Sequence, residues 1–224
     1  MAAGAWKDWA EGELVTEALF QDIQDSIAFI YSSESAANTA LTNKVTGTQF
    51  YDTTDLVLKI WNGSSWDKVG GGLSDFDCWN LTANKTSSGD ITANLARPTG
   101  TGQGGYLGTG MTQSSGEFTF PGAGYWIVHY TATMSITSGD GFLEFQVFTS
   151  SNSGSSYDQI VGQSEGSHGG TSGGTVAGQV LLDVTDASTF RIKFAGDSIS
   201  SGSYIIGTTV ETATGFTFMR LADT

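Results

Sequence analysis

The feature that most constrains this chain is the stretch from Gly116 to Ile136, GEFTFPGAGYWIVHYTATMSI. It alternates at Phe118 and Phe120, turns at Pro121-Gly122-Ala123-Gly124, and then carries bulky residues at both parities. Successive side chains of a strand point to opposite faces. Trp126, Val128, Tyr130, Ala132 and Met134 therefore share one face, and Tyr125, Ile127, His129, Thr131 and Thr133 share the other. A strand with one wet face alternates apolar and polar residues, whereas here the second face is also apolar over its first half. Aromatic and β-branched residues behind a glycine-rich turn argue against a helix. The stretch predicts a strand that needs two dry faces. One packs inside a β-sandwich; the other calls for a partner, such as another copy of the chain.

At 224 residues the chain has room for one large or two modest domains with a substantial core. Its 31 glycines against 2 prolines, with 12% aromatic residues, suit many strands and tight turns rather than disorder. Nine basic residues face 23 acidic ones, a net charge of −14. So acidic a chain is repelled by phosphate backbones and by anionic membrane surfaces. Cys78 is the lone cysteine, so no intrachain disulfide forms. No apolar run approaches the ~20 residues of a membrane helix. The opening segment, with Lys7, Asp8, Glu11 and Glu13, does not read as a signal peptide, and assembly in a cytoplasm is expected.

Taken in order, the chain begins with Trp6 and Trp9 on a small, polar segment, which need a surface of their own domain or of another protein. Thr16 to Tyr31 reads as a helix, with Thr16 as N-cap and Leu19, Ile23, Ile27 and Ile30 along one stripe. Ser32 to Leu41 adds a short second helix. Strands are expected at Thr48–Asp52, Leu56–Trp61 and Trp66–Val69, joined by Thr53-Thr54-Asp55 and by the Asn62-Gly63 turn signal. Gly70-Gly71-Gly72 breaks the pattern and reads as a linker. Three segments follow: 1–46, helical attachment; 47–72, small β-meander and linker; 73–224, one sandwich domain. Within the last, strands such as Cys78–Leu81, Phe142–Ser150, Thr175–Asp183 and Thr214–Leu221 are separated by Gly/Ser/Asn turns, with no helical window.

Two resemblances attach to particular residues. Phe118, Phe120, Pro121, Gly124 and Tyr125, together with Thr214-Gly215-Phe216-Thr217-Phe218, resemble the trimeric jelly roll of tumour necrosis factor and the complement-type globular heads. The fuller pattern adds Leu107–Met111, Leu182–Asp186 and the ending Arg220–Thr224. It is similar to C-terminal heads of phage virion proteins and covers roughly two-thirds of the chain, about one ordinary domain. Trp9, Gly12, Glu13, Val15 and Thr16, then Ser35, Ala36, Ala37, Ala40 and Leu41, then Gly47–Tyr51, Thr53, Trp61, Asn62, Gly63, Ser65 and Trp66, resemble base segments of phage fibre and decoration proteins. The resemblance implies a mainly β, homotrimeric virion appendage: an N-terminal helix and small meander, then an antiparallel jelly-roll sandwich. Tyr125, Ile127, His129, Phe216 and Phe218 would form the trimer interface. Trp6, Trp9, Leu19, Ile23 and Ile27 would attach to other virion proteins. Head loops would meet a host surface glycan, or the head would serve only as capsid decoration.

Catalytic and metal motifs weigh less. Gly162-Gln163-Ser164-Glu165-Gly166 fits G-x-S-x-G, but a nucleophile elbow needs a strand-to-helix turn, which glycine and serine neighbours do not supply. His129 reads as a strand or interface residue and His168 as a loop residue; with Cys78 they lack zinc spacing. Asp75 with Asp77, and Asp183 with Asp186, offer oxygen ligands to calcium but read first as turn residues. No metal or cofactor is assigned. A rival reading as a polysaccharide depolymerase needs paired carboxylates, and Glu117, Asp140, Glu144 and Asp158 show no pairing in their spacing.

Overall fold

The computed structural model describes residues 29–69, 73–100, 103, 105–200 and 202–222. The chain divides into two compact units between residues 72 and 73, and the described residues are mainly β, in largely antiparallel sheets with one short helix.

The smaller unit contains β1 (Phe29–Tyr31), α1 (Glu34–Ala40), β2 (Gln49–Asp52), β3 (Val57–Trp61) and β4 (Trp66–Val69), with sheet order β1-β2-β3-β4. The β1–β2 pair is parallel and the other two are antiparallel. Ala-rich α1 starts where the Ser33 side chain accepts a hydrogen bond from the Ala36 amide, and Glu34 sits at the positive end of its dipole. One face of the sheet buries Phe50 and Trp66 with Ala37 of the helix, flanked by Phe29, Tyr31, Leu41 and Trp61. The Trp66 indole Nε1 donates to Asn38 Oδ1 at 3.0 Å and ties the helix to the sheet.

Two expectations change here. The helix predicted to end at Tyr31 cannot include its last turn, because Phe29–Tyr31 is a strand in register with Phe50–Asp52. Pairing with β2, continued by the Thr53 amide on the Tyr31 carbonyl at 2.9 Å, overrides the helical stripe, and Ile30 stands 71% exposed. The remainder of that predicted helix lies outside the described residues. A boundary at 46/47 also falls inside a packed unit, since β1 and α1 share the core of β2–β4.

The larger unit is a sandwich of two sheets. One has the order β14-β11-β17-β5-β7, with β8 beside β5 and β16 beside β11; the other has β13-β12-β15-β10-β9, with β6 beside β15. Their strands are β5 (Phe76–Leu81), β6 (Gly89–Asp90), β7 (Leu95–Ala96), β8 (Tyr106–Leu107), β9 (Thr112–Ser114), β10 (Glu117–Thr119), β11 (Gly124–Ile136), β12 (Phe142–Ser150), β13 (Asp158–Gly166), β14 (Ser172–Val184), β15 (Arg191–Asp197), β16 (Tyr204–Ile205) and β17 (Gly215–Ala222). The long pairings are nested: β12 with β13, β11 with β14, β10 with β15 and β5 with β17. A single doubled-back ribbon is thus wrapped until β11 also meets β17 and β12 also meets β15. The turn from β9 to β10 places Ser115 at φ 50° and Gly116 at φ 84°, the two positive angles of a type I′ hairpin. A side chain on Gly116 would meet the Ile91 carbonyl oxygen at 2.0 Å.

Between the sheets lies one aromatic core. Phe194 and Phe216 stack with ring centres 3.8 Å apart, and Phe145, Phe118 and Phe218 surround them. β11 alternates as its sequence requires: Trp126, Val128, Tyr130, Ala132 and Met134 are buried.

Candidate subunit interface

The other parity of β11 faces away from the core, and register decides what stands beside it. Ile127 pairs with Leu181 of β14 and with Met219 of β17; Met219 pairs with Phe76 of β5, and Phe76 with Leu107 of β8. Directly opposed residues of antiparallel strands share a face. Leu181, Ile127, Met219, Phe76 and Leu107 thus form an unbroken apolar row across five strands. Its ends are open to solvent, with Leu181 63% and Leu107 51% exposed, and Tyr125 is 40% exposed one register step away. On the other side the next row is polar: Gln179, His129, Thr217 and Cys78.

Beside this row runs a groove of about 550 Å³. Phe76, Cys78, His129, Thr131 and Thr217 line it together with Pro98, Tyr106 and Leu107. A polar cluster stands beside Tyr106. The Arg97 guanidinium lies 4.6 Å from the Trp79 ring centre and 4.5 Å from that of Tyr106. It donates from Nε and Nη2 to the Asp77 carboxylate at 2.9 and 2.8 Å, and from Nη2 to the Met111 carbonyl at 2.7 Å. Asp77, buried inside the sandwich, also accepts from Trp79 Nε1 and the Met111 amide. The bidentate arginine engages both oxygens of this buried carboxylate, and the two further donors converge on Oδ2. The Cys78 sulfur sits 3.5 Å from Thr217 Oγ1. Burial pushes its thiol up; the Thr217 hydrogen bond opposes this and Asp77 adds to it. The thiol stays protonated at neutral pH, which makes it a weak nucleophile.

The predicted interface residues divide. Tyr125, Ile127 and His129 lie together on the outer face of β11. Phe216 and Phe218 do not join them. They are 1% and 0% exposed because they oppose Tyr130 and Val128, whose side chains point into the sandwich. Neither has surface to offer a second subunit. Leu181, Met219, Phe76 and Leu107 take their place in the row; parity within each strand hints at them, but only register assembles them. Trp6, Trp9, Leu19, Ile23 and Ile27 lie outside the described residues.

The other motifs fall in separate places. Gly162–Gly166 lies wholly within β13, without the strand-to-helix turn of a nucleophile elbow. Glu117 binds the Tyr157 hydroxyl and Arg191, Asp140 binds Ser200, and Glu144 accepts from Gln159 at 3.3 Å, so these three carboxylates are engaged by different partners. Asp186 accepts from the Ser188 amide and hydroxyl at the turn before β15, which hold its carboxyl below the usual range. Among the described residues no group of three or more His, Cys, Asp or Glu is placed to hold a metal, and no helix is long and apolar enough to cross a membrane. Compared with known proteins, the chain matches no family model and no curated protein sequence.

Proposed function

We propose that this chain is a non-enzymatic structural component of a bacteriophage virion, a homotrimer whose larger unit is a jelly-roll head. The observation that carries the trimer is the apolar row Leu181–Ile127–Met219–Phe76–Leu107. Single exposed apolar residues are ordinary; a contiguous row with open ends on an otherwise folded sheet marks a contact surface. The jelly-roll reading rests on the nested pairings of β5, β10 to β15 and β17, which alternate between two sheets as in a rolled, doubled ribbon of about eight strands. The virion assignment rests on the fibre-like and decoration-like residues from Trp9 to Trp66 and on the head pattern from Leu107 to Arg220. The head would serve for adhesion to a host surface glycan. Electron microscopy of particles labelled on this protein distinguishes a tail fibre from a capsid decoration, and failure to label any particle removes the virion reading.

The trimer is tested by a pair of neighbours on β11. Ile127→Asp puts a charge on the outer row, and dissociation with strand content retained is expected, read by light scattering and circular dichroism. Val128→Asp puts the same charge into the core, where burial of an unpaired carboxylate should unfold the head. A stable monomer for the unaltered chain at micromolar concentration would rule the trimer out.

A further inference from the structure

Among the described residues, the smaller unit carries a second uncovered apolar face. Its helix and aromatic cluster cover one side of the four-stranded sheet. On the other side, register aligns Ile30 of β1 with Tyr51 of β2, Tyr51 with Leu58 of β3, and Leu58 with Val69 of β4. Ile60 extends this row along β3. Ile30 is 71% exposed, Val69 42% and Tyr51 38%, while Phe50 and Lys59 on the opposite parity are buried. Every strand of the sheet contributes one apolar residue to the row, which four scattered exposures would not do.

We propose that this face is a self-association surface, packed in the assembled protein against other copies of the same chain. The inference rests on the trimeric reading above and extends it to the smaller unit. Two observations favour a second copy over a different partner. The five residues of the row carry no charge, on a chain whose net charge is −14, and Asp67, opposite Ile60, stands at its edge. Copies of so acidic a protein repel one another, and the uncharged row is where they approach with the fewest like charges juxtaposed. The row also ends at Val69, with only three residues between it and the start of the head at Leu73. Heads that trimerise would tether three such faces at about millimolar effective concentration, so even a small apolar contact would close.

The test uses the full chain in a Cys78→Ser background with Ile30→Cys as a reporter, and Val69→Cys as a second reporter should the first disturb folding. Maleimide labelling is followed in the assembled protein and in the same protein carrying Ile127→Asp, at a concentration where light scattering finds a monomer. Labelling at least about tenfold slower in the assembly than in the monomer is expected, as for a site that reacts only on local opening. Fast labelling in both overturns the proposal, because the face is then open to solvent. Slow labelling in both also overturns it, because the chain's own residues then cover the face. If the chain without Ile127→Asp is itself a monomer, the trimeric reading fails first and this inference falls with it.

Discussion

The two units of this chain are stabilised by different means. The head buries a continuous apolar core in which Phe145, Phe194 and Phe216 stack across the gap between its sheets. Among the described residues the smaller unit has three buried hydrophobic residues at its centre, Ala37, Phe50 and Trp66, and it buries a charge beside them. Lys59 Nζ donates to Glu34 Oε1 at 2.8 Å, Asp52 Oδ2 at 3.0 Å and Asp55 Oδ2 at 2.9 Å. Three donors meet three carboxylates, drawn from α1, β2 and the turn before β3. A short chain buries too little apolar surface to hold its elements by the hydrophobic effect alone. Here one ammonium group fixes the helix, the sheet and the turn at once. Both units bury a charge, Asp77 with Arg97 in the head and Lys59 with Asp52 in the smaller unit, but only in the smaller unit does one buried group tie helix, sheet and turn together.

Removing core volume from the head should have the largest effect. Phe194→Ala is expected to destabilise it by about 4 kcal/mol, through lost burial and a cavity between the sheets. Urea unfolding with hydrogen exchange measured unit by unit checks this, and β2 and β3 should keep their protection. Equal loss in both units would show that they unfold as one, and the contrast would collapse.

Next comes the ammonium of the smaller unit. Lys59→Met keeps much of the side-chain volume but leaves Asp52, 3% exposed, without its cation. About 3 kcal/mol of destabilisation is expected, confined to residues 29–69. Adding Asp52→Asn should recover part of it, because the two residues act as a pair. An unchanged midpoint for the single variant would mean that the aromatic cluster suffices.

Acid should separate the units more gently. Burial opposes ionisation of Asp52, but the Lys59 ammonium and the amides of Asp55 and Thr54 outweigh it, and its carboxyl lies below the usual range. Asp55 is lowered as well, first by its hydrogen bond to Lys59. A carboxylate whose folded pKa is depressed contributes stability that is complete above its unfolded pKa and is lost as pH falls through the folded one. Protection in the smaller unit should therefore decline once pH drops below about 4, before the aromatic core of the head loosens. The head has lowered carboxylates too, Asp140 through Ser200 and Asp186 through Ser188, but its core contacts do not titrate. Simultaneous loss in both units would show that those two aspartates matter more than the aromatic stack.

Much of the architecture was legible because strand patterning is local. Alternation in Tyr125–Ile136 predicts that its two sets of side chains take opposite faces but not which set is buried, and Phe142–Ser150 and Trp66–Val69 have the bounds their patterns predict. Turn chemistry at Asn62-Gly63 is equally local, since the Asn62 side chain accepts from the amides of Ser64 and Ser65. What the sequence by itself determined, then, is where most of the strands run and which side chains of each share a face. It could not determine which strand lies beside which. Phe29–Tyr31 became a strand only because β2 was there to pair with it. Phe216 and Phe218 turned inward because their partners were Tyr130 and Val128. The row Leu181–Ile127–Met219–Phe76–Leu107 draws its members from five segments far apart in the chain. The face of a side chain is fixed by a two-residue repeat that any short window contains, whereas its neighbours are fixed by backbone hydrogen bonds between distant segments, which exist only once the chain has folded.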